Sequence, residues 1–204
     1  EPDVRPAGDQ RARTIVAVPL KRVGTQGAYI LPFRNVLPRI APGAFVASGA
    51  SVIGDVEMAR DSSLWFSGVI RGDVNYVRIG ARSNIQDGTV IHTATRDGPT
   101  LIGEDVVVGH QCLLHACILE DACMVGMGAV VMDYSVVESG AWVAAGALVP
   151  PNKRVKAGEL WMGSPAKYVR PVSNAEREEI ERVAAAYAAR AKEYGEVPEI
   201  KSGL

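Results

Sequence analysis

Three histidines lie close together in this chain and are its best candidates for metal chemistry. His92, His110 and His115 are the only histidines among the 204 residues, and they fall within a 24-residue stretch. Neutral imidazole is the commonest metal ligand among side chains, and catalytic zinc often binds three histidines and keeps a fourth position open. One histidine taken alone would be an ordinary surface residue, but three at this spacing predict a metal site.

The segments that carry these histidines follow a repeat of six residues. Aliphatic side chains recur at every sixth position. They are Ile40, Val46, Val52, Met58, Leu64 and Ile70; then Ile79, Ile85 and Ile91; then Ile102, Val108 and Leu114; then Leu119, Val125, Val131, Val137, Val143, Val149 and Val155. The residue four positions after each is mostly small, which suits a narrow interior. A period of six predicts an all-β solenoid, a coil that returns to an inward corner on every short side.

The repeat breaks in three places. The step from Ile70 to Ile79 is three residues too long, the step from Ile91 to Ile102 is five too long, and that from Leu114 is one short. Extra residues in a solenoid leave as loops, which tend to collect on a binding face. The pattern therefore predicts loops at 74–78 and 94–99.

Composition narrows the class of protein. The chain is 48% hydrophobic and 22% charged with a net charge of −1, so it lacks the basic surface of a nucleic-acid-binding protein. No apolar run approaches the roughly 20 residues of a membrane span. Two of the three cysteines, Cys112 and Cys123, sit at small inward positions, whereas Cys117 falls off the pattern. This usage favours packing in a reducing compartment over a disulfide framework.

The pattern divides the chain into four segments. An extension without the period spans 1–38, the solenoid 39–172, a helix 173–195 and a tail 196–204. Ser173 and Glu176 form a capping-box pattern, apolar residues then fall on one helical face, and Gly195 is a stop signal. The apolar face needs a partner, which we expect to be the flank of its own solenoid or of a neighbouring copy.

The repeat also places the histidines relative to one another. With three sides per coil, residues three ladder steps apart stack on adjacent coils about 4.8 Å apart. His92 follows Ile91, and His115 follows Leu114 three steps later. The two imidazoles are therefore expected to stack on one face and to share a metal at roughly 2.0–2.1 Å.

His110 occupies a different side of the coil. It lies two residues after Val108, where Asp87 stacks one coil earlier. It is not expected to reach the stacked pair within one rigid chain. In a three-fold assembly of parallel coils, however, it can complete the site of a neighbour, and closed cyclic assemblies are common. The sequence predicts a trimer with metals between its subunits.

Several motifs around the histidines resemble those of one family. They are Arg-Gly-Asp at 71–73, Asn-Ile-Gln-Asp-Gly at 84–88, Gly-His at 109–110 with His115, Gly-Met-Gly-Ala at 126–129 and Gly-Ser-Pro-Ala-Lys at 163–167. From about residue 39 to 190 the chain resembles the γ-class carbonic anhydrases. The resemblance implies a left-handed parallel β-helix of hexapeptide repeats, a homotrimer or mixed trimer, and Zn²⁺ between subunits, with Fe²⁺ or Co²⁺ as alternatives.

The resemblance also implies roles for further residues. Arg71 and Asp73 match an intersubunit ion pair, Asn84 and Gln86 match groups that position water and substrate, and Tyr187 matches a tyrosine that closes the pocket. The polar residues of the 84–87 segment would equally suit a turn that hydrogen-bonds its own backbone. The resemblance also implies that His92 and His115 bind the metal from one chain and that His110 comes from the next.

The implied reaction is the reversible hydration of CO₂ to bicarbonate. Three neutral ligands leave the charge of the metal undiminished, so its bound water would have a pKa of roughly 7 and would supply hydroxide near neutral pH. The proton must then leave, but Val74 stands where the family has an acidic residue. The 74–78 loop carries no carboxylate, and the 94–99 loop offers only Asp97. Hydration is therefore expected to be slow, buffer-dependent or absent.

Two other functions remain open at this stage. One is a metal-binding assembly subunit of mitochondrial respiratory complex I, because the segments 71–75, 138–146 and 158–161 resemble that branch of the family. This setting would place the chain on the matrix side of the inner membrane, and otherwise a bacterial cytoplasm is expected. The other is a hexapeptide acyltransferase that uses one histidine as base and binds coenzyme A between subunits, against which the three histidines argue.

Overall fold

The chain coils into a left-handed parallel β-helix of about seven turns, followed by one C-terminal helix, as the six-residue period and the family resemblance predicted. The computed structural model describes residues 27–196. In chain order the elements are β1 (Tyr29–Leu31), β2 (Arg39–Ile40), β3 (Phe45–Val46), β4 (Ser51–Met58), β5 (Ser63–Leu64), β6 (Val69–Ile79), β7 (Asn84–Ile85), β8 (Val90–His92), β9 (Thr100–Ile102), β10 (Val107–Val108), β11 (Leu113–His115), β12 (Ile118–Leu119), β13 (Met124–Val125), β14 (Val130–Val131), β15 (Val136–Val137), β16 (Trp142–Val143), β17 (Leu148–Val149), β18 (Arg154–Val155), β19 (Glu159–Met162), β20 (Lys167–Pro171) and α1 (Asn174–Glu196).

The strands form three flat faces. The first face contains β1, the first halves of β4 and β6, and then β8, β11, β14 and β17. The second face contains β2, the second halves of β4 and β6, and then β9, β12, β15 and β18. The third face contains β3, β5, β7, β10, β13, β16 and β19. Each turn thus places one strand on each face, and equivalent residues stack from turn to turn.

The interior is filled by the residues of the six-residue ladder. Its members from Val46 onward are buried, and so are the small residues between them, such as Ala50, Ala129 and Ala141. Cys117 is also fully buried in this core, although the sequence pattern left it unassigned. The explanation is the short step after Leu114, which moves the small inward position one residue earlier.

The two long steps of the ladder are accommodated differently. The sequence predicted a loop at 74–78, but β6 continues through Ile79, and Val77 is paired and buried. The extra residues lie at 73–76, opposite the single residue Asp55, and form a bulge in the sheet. The second insertion does leave the coil, as a short hairpin closed by a bridge between Ala94 and Gly98.

The coil extends further towards the N-terminus than the periodicity indicated. Tyr29–Leu31 pair in parallel with the start of β4, and Ile30 packs against the core. A regular strand therefore lies ten residues before the expected start at 39, in a region without an obvious ladder residue. The rest of the expected extension up to residue 26, and the tail from 197 onward, lie outside the described residues.

Helix α1 packs on the third face of its own coil. Ser173 and Glu176 form the expected capping box, in which Glu176 Oε2 accepts hydrogen bonds from Ser173 N at 2.8 Å and Ser173 Oγ at 2.9 Å. Ile180 and Ala184 are buried against Val107. Within residues 27–196, no helix combines the length and apolar character needed to cross a bilayer. The helix instead supplies the apolar cover for one face.

The final strand reverses direction. After the parallel strand β19, the chain turns and β20 pairs with it in antiparallel fashion. All five residues of β20 are exposed, and they include Lys167, Arg170 and Pro171. The third face therefore ends in a short exposed strand before α1 begins.

Candidate metal centre

Two of the three histidines stack at the end of the first face. β8 and β11 pair in register, with His92 directly opposite His115. His92 Nδ1 lies 3.2 Å from His115 Nε2. Two nitrogens bound to one tetrahedral zinc at roughly 2.0–2.1 Å would be about 3.3 Å apart. The stacking predicted from the sequence is confirmed, and the spacing suits a shared metal.

Carboxylates fix the protons on the far sides of both rings. Asp73 Oδ1 lies 2.9 Å from His92 Nε2, and Asp133 Oδ1 lies 3.0 Å from His115 Nδ1. An ionised carboxylate only accepts hydrogen bonds, so each ring donates from that nitrogen. When both rings are neutral, the two nitrogens that face each other both present lone pairs. This arrangement is repulsive when empty and favourable around a cation.

Asp73 is held in its ionised form. Burial opposes its ionisation, but hydrogen bonds from His92 and from Arg71 outweigh burial, so the pKa of this carboxyl lies below its usual value. The family resemblance implied that Arg71 and Asp73 pair between subunits. In the structure they form an ion pair within one chain, and the same carboxylate also contacts His92.

His110 lies at a different corner, as predicted. It follows β10 on the third face, one turn above Asp87, and its Nδ1 is 2.8 Å from Asp87 Oδ2. Among the described residues, no group of three or more His, Cys, Asp or Glu side chains could hold a metal within one chain. Asp87 contacts the His110 ring and is therefore not simply a residue that stabilises its own turn.

The first face separates the two halves of the candidate site. His110 occupies the corner where the third face meets the first, and His92 and His115 occupy the corner where the first meets the second. Between these corners runs a column of outward apolar side chains, in which Val90 is 38% exposed and Leu113 40% exposed. An exposed apolar surface of this kind commonly marks a protein interface.

Asn84 and Gln86 lie together beneath helix α1. Gln86 Nε2 donates to Asn84 Oδ1 at 3.0 Å, and both side chains are buried. Asn84 Nδ2 is buried without a hydrogen-bond partner among the described residues. An unsatisfied buried donor costs roughly 1–3 kcal/mol, which is unusual in a structure of this regularity. The pair adjoins Asp87, and so it belongs to the His110 half of the site.

Tyr187 projects from α1 into an aromatic cluster. Its ring packs edge-on against Trp65 with a centroid distance of 5.2 Å, and Phe66 and Tyr194 complete the cluster. Burial raises the pKa of the Tyr187 hydroxyl; the positive charge of Arg190 opposes this, and the negative charge of Asp87 adds to it. Tyr187 thus lies on the same side as Asn84, Gln86 and His110.

The bulge and the hairpin beside His92 are tied together. Asn75 Nδ2 donates to the carbonyl oxygens of Ala94 at 3.2 Å and Arg96 at 2.5 Å. The neighbouring Val74 is 49% exposed and apolar. The position at which an acidic residue was expected is therefore occupied by a valine beside a rigid amide clamp.

One residue of the site was missed by the sequence reasoning. Asp133, which contacts His115, lies two residues after the ladder residue Val131, on the next turn of the coil. By stacking register the residue opposite His115 on that turn is Met132, and Asp133 is the next one. The direction of an Asp side chain at a corner is not encoded in the period, so stacking alone could not identify it.

Comparisons with known proteins point in one direction. Gamma carbonic anhydrase 2, mitochondrial, from Arabidopsis thaliana is 47% identical over 144 residues, which are 68% of this chain and 52% of that protein. The carbonic anhydrase of Geobacillus kaustophilus is 38% identical over 165 residues, which are 81% of this chain and 90% of that protein. The chain spans about half the length of the plant relatives that it matches.

Solved structures share the same fold. The crystal structure of a hexapeptide transferase family protein from Anaplasma phagocytophilum has a TM-score of 0.79 and 43% identity, covering 81% of this chain and 98% of that one. No protein-family model matches the chain. The relatives thus include mitochondrial and bacterial proteins on one scaffold.

Proposed function

Because this chain belongs to the γ-class carbonic anhydrase family, we propose that it binds zinc at the interfaces of a trimer and hydrates CO₂ reversibly to bicarbonate. The observation that carries the proposal is the pair of facing nitrogens on His92 and His115, which are 3.2 Å apart. The outer ring nitrogen of each histidine donates a hydrogen bond to a carboxylate, so the lone pair on the inner nitrogen, which faces the other ring, is available to a cation.

The positions of the two corners support the proposed trimer. If three chains turn their first faces towards a common axis, the His110 corner of each meets the His92 and His115 corner of the next. The same arrangement covers the exposed column that contains Val90 and Leu113. One assembly therefore buries the apolar face and completes a three-histidine site at each interface.

The residues of this chain divide the remaining tasks. When bound, zinc supplies a Lewis acid that makes hydroxide available near neutral pH. Asp73 and Asp87 hold protons on the outer nitrogens of His92 and His110, so that the inner nitrogens are free to bind the metal. Asn84 Oδ1 binds Gln86 Nε2, which leaves Gln86 Oε1 to accept a hydrogen bond from the reacting water.

Three further residues have supporting roles in the proposal. Arg71 keeps the Asp73 carboxyl ionised. Tyr187 closes the helix side of the site and helps to exclude water. The Asp73 carboxylate is engaged by His92 and Arg71, and residues 74–78 carry no carboxylate, so we propose that proton release depends on external buffer.

The native metal is also part of the proposal. Imidazole nitrogens suit zinc, iron and cobalt, so Fe²⁺ or Co²⁺ could occupy the same three ligands. A hexapeptide acyltransferase would need only one histidine as base, so the facing pair of His92 and His115, with His110 as a third ligand, favours a metal site instead.

The second candidate is a metal-holding scaffold with little hydration activity. The supporting observation is the clamp in which Asn75 fixes the hairpin beside Val74, where the expected proton acceptor is missing. In this case the chain would act as an assembly subunit of respiratory complex I, alone or with related chains in a mixed trimer, on the matrix side of the inner membrane. Otherwise we propose a bacterial cytoplasmic enzyme.

Mixed trimers test the proposed site. Zinc-loaded His110→Ala and His115→Ala trimers should each hydrate CO₂ at close to the uncatalysed rate in stopped-flow measurements. Refolding the two variants together should restore activity, because a mixed trimer has one interface of three with all its histidines.

The controls separate the two candidate functions. Each variant refolded alone is the matched control, and native mass spectrometry reports chain number and zinc content. Activity that fails to return in confirmed mixed trimers would overturn the shared site. Zinc retained by the wild type without hydration, at any buffer concentration, would favour the scaffold.

A further inference from the structure

Asp133 holds His115 from the turn that follows β14. Its Oδ1 lies 3.0 Å from His115 Nδ1, and its side chain is 27% exposed. We propose that Asp133 is a positioning residue that fixes the tautomer and orientation of the metal ligand His115. The proposal rests on the proposed function, since it assigns a role at the same metal centre.

The chemistry of imidazole makes this contact decisive. A neutral ring carries one proton, so a carboxylate that accepts from Nδ1 leaves the lone pair on Nε2. His115 Nε2 is the atom that faces His92 Nδ1 at 3.2 Å. Without Asp133, the proton could move to Nε2 and block the nitrogen that the metal needs.

The turn that carries Asp133 is fixed from both neighbouring coils. The Asp133 carbonyl accepts a hydrogen bond from Asn152 N at 2.9 Å, and Tyr134 N donates to the Ala116 carbonyl at 2.7 Å. Tyr134 adopts the left-handed conformation with φ of 58°. The carboxylate is therefore held in place before any metal binds, as a supporting contact requires.

Asp133 differs from Asp73 in how its charge is used. Asp73 divides its oxygens between His92 and Arg71, whose guanidinium compensates part of the negative charge. Asp133 accepts a hydrogen bond from the His115 ring, and among residues 27–196 no Lys or Arg side chain forms an ion pair with it. Its carboxylate therefore serves to orient this one ring.

Asp121 provides a matched control. It occupies the same place in the repeat, two residues after the ladder residue Leu119, and the next residue, Ala122, also has a left-handed φ of 54°. Its Oδ1 accepts a hydrogen bond from Glu104 N at 2.8 Å, so its role is in the backbone of a turn. Asp121→Ala should lower stability without touching the metal centre.

The experiment compares Asp133→Ala, Asp133→Asn and Asp121→Ala in trimers of confirmed mass. Zinc affinity is measured by competition with a chromogenic chelator, and the ring tautomer of His115 is measured by ¹⁵N NMR in the metal-free protein. Asp133→Ala should weaken zinc binding roughly 10–100-fold, as loss of such partners does elsewhere. Asp133→Asn keeps an acceptor without the charge and should fall between.

Two results would overturn the proposal in distinguishable ways. If the wild type binds zinc and Asp133→Ala binds it equally tightly, with an unchanged tautomer, then Asp133 is not a positioning residue, and the proposed function stands. If wild-type trimers bind no metal, the proposed function fails and this inference fails with it. Equal losses of affinity in Asp133→Ala and Asp121→Ala would show a merely structural effect, which also overturns it.

Discussion

The first and third faces of the coil carry similar outward columns but have different partners. On the third face, Phe45 and Val107 are buried because α1 lies over them. On the first face, Val90 and Leu113 stand in the same kind of column and remain exposed. The difference shows that the chain covers the apolar column of the third face with its own helix and leaves the column of the first face exposed. The exposed column is flanked by both halves of the candidate metal centre, as the proposed trimer requires.

The second face supplies a useful contrast. Its first turns carry an outward ladder of opposite charges, in which Arg78 bonds to Asp55 at 2.8 Å and to Glu57 at 3.2 Å. Three apolar residues follow in this column, Leu101, Ile118 and Val136, and Arg154 ends it with a contact to Glu138. A face that begins with paired charges is suited to water, so we expect the first face to be the trimer interface.

The largest effect should come from a charge on the first face. Leu113→Glu would bury a carboxylate at the three-fold axis, which is too costly for the assembly to form. We expect the mass to fall from that of a trimer to the 21.7 kDa of one chain, with loss of bound zinc. Size-exclusion chromatography with light scattering and metal analysis would measure both.

Ile118→Glu is the control for that experiment. Ile118 is 37% exposed, close to the 40% of Leu113, but it faces outward from the second face. Its substitution should leave the trimer and the zinc intact. Dissociation of both variants would mean that the first face has no special role.

A change under α1 should cost stability but leave assembly unchanged. Ile180 is buried between the helix and Val107, so Ile180→Ala should lower the free energy of unfolding by roughly 2–5 kcal/mol. Urea unfolding at a fixed protein concentration measures this, with the exposed Glu181→Ala as control. If Ile180→Ala no longer formed trimers, the third face would also contribute to assembly, which would contradict the proposed distinction between the first and third faces.

The smallest effect concerns the cap that holds α1 on the third face. Hydrogen bonds from Arg170 and Ser173 lower the pKa of Glu176 to about 2 from the usual 4.5. The ionised form is the stabilising one, so its contribution is complete above about pH 4.5 and is lost as the pH falls towards 2.

Glu176→Gln tests this contribution. The variant should lose about 0.2–1 kcal/mol at neutral pH, because the pair is near the surface. Its melting temperature should also fall less steeply than that of the wild type between pH 4.5 and 2. If the melting temperatures of the two proteins fell equally steeply with pH, ionised Glu176 would not contribute to the stability of α1.

The periodicity was sufficient to predict the coil and its interior. Ladder residues such as Val125 and Val143 are fully buried because a narrow coil admits one inward orientation per side. The start of the coil was not predicted, since Ile30 follows no regular step. The prediction of a loop at 74–78 was wrong, because a sheet can accommodate extra residues in a bulge as well as in a loop.

The stacking register was sufficient to predict which residues of the candidate site lie opposite one another on adjacent turns. His92 lies opposite His115, and His110 lies above Asp87, as the counting indicated. The partners of these rings were harder to foresee. Whether Asp133 turns towards His115 or towards water depends on the conformation of one turn, which a six-residue period does not contain. The proposed roles of Asn84, Gln86 and Tyr187 stay predictions.

The reversed strand β20 also bears on how large an assembly can grow. A stack of parallel strands offers open backbone groups at its end, where another coil could add and begin a filament. Here that edge on the third face is occupied by an antiparallel strand with Lys167, Arg170 and Pro171 exposed. Charge and proline are the usual deterrents to further pairing. Addition of a further strand at this end of the third face is thereby discouraged, which is compatible with the proposed sideways association into a trimer.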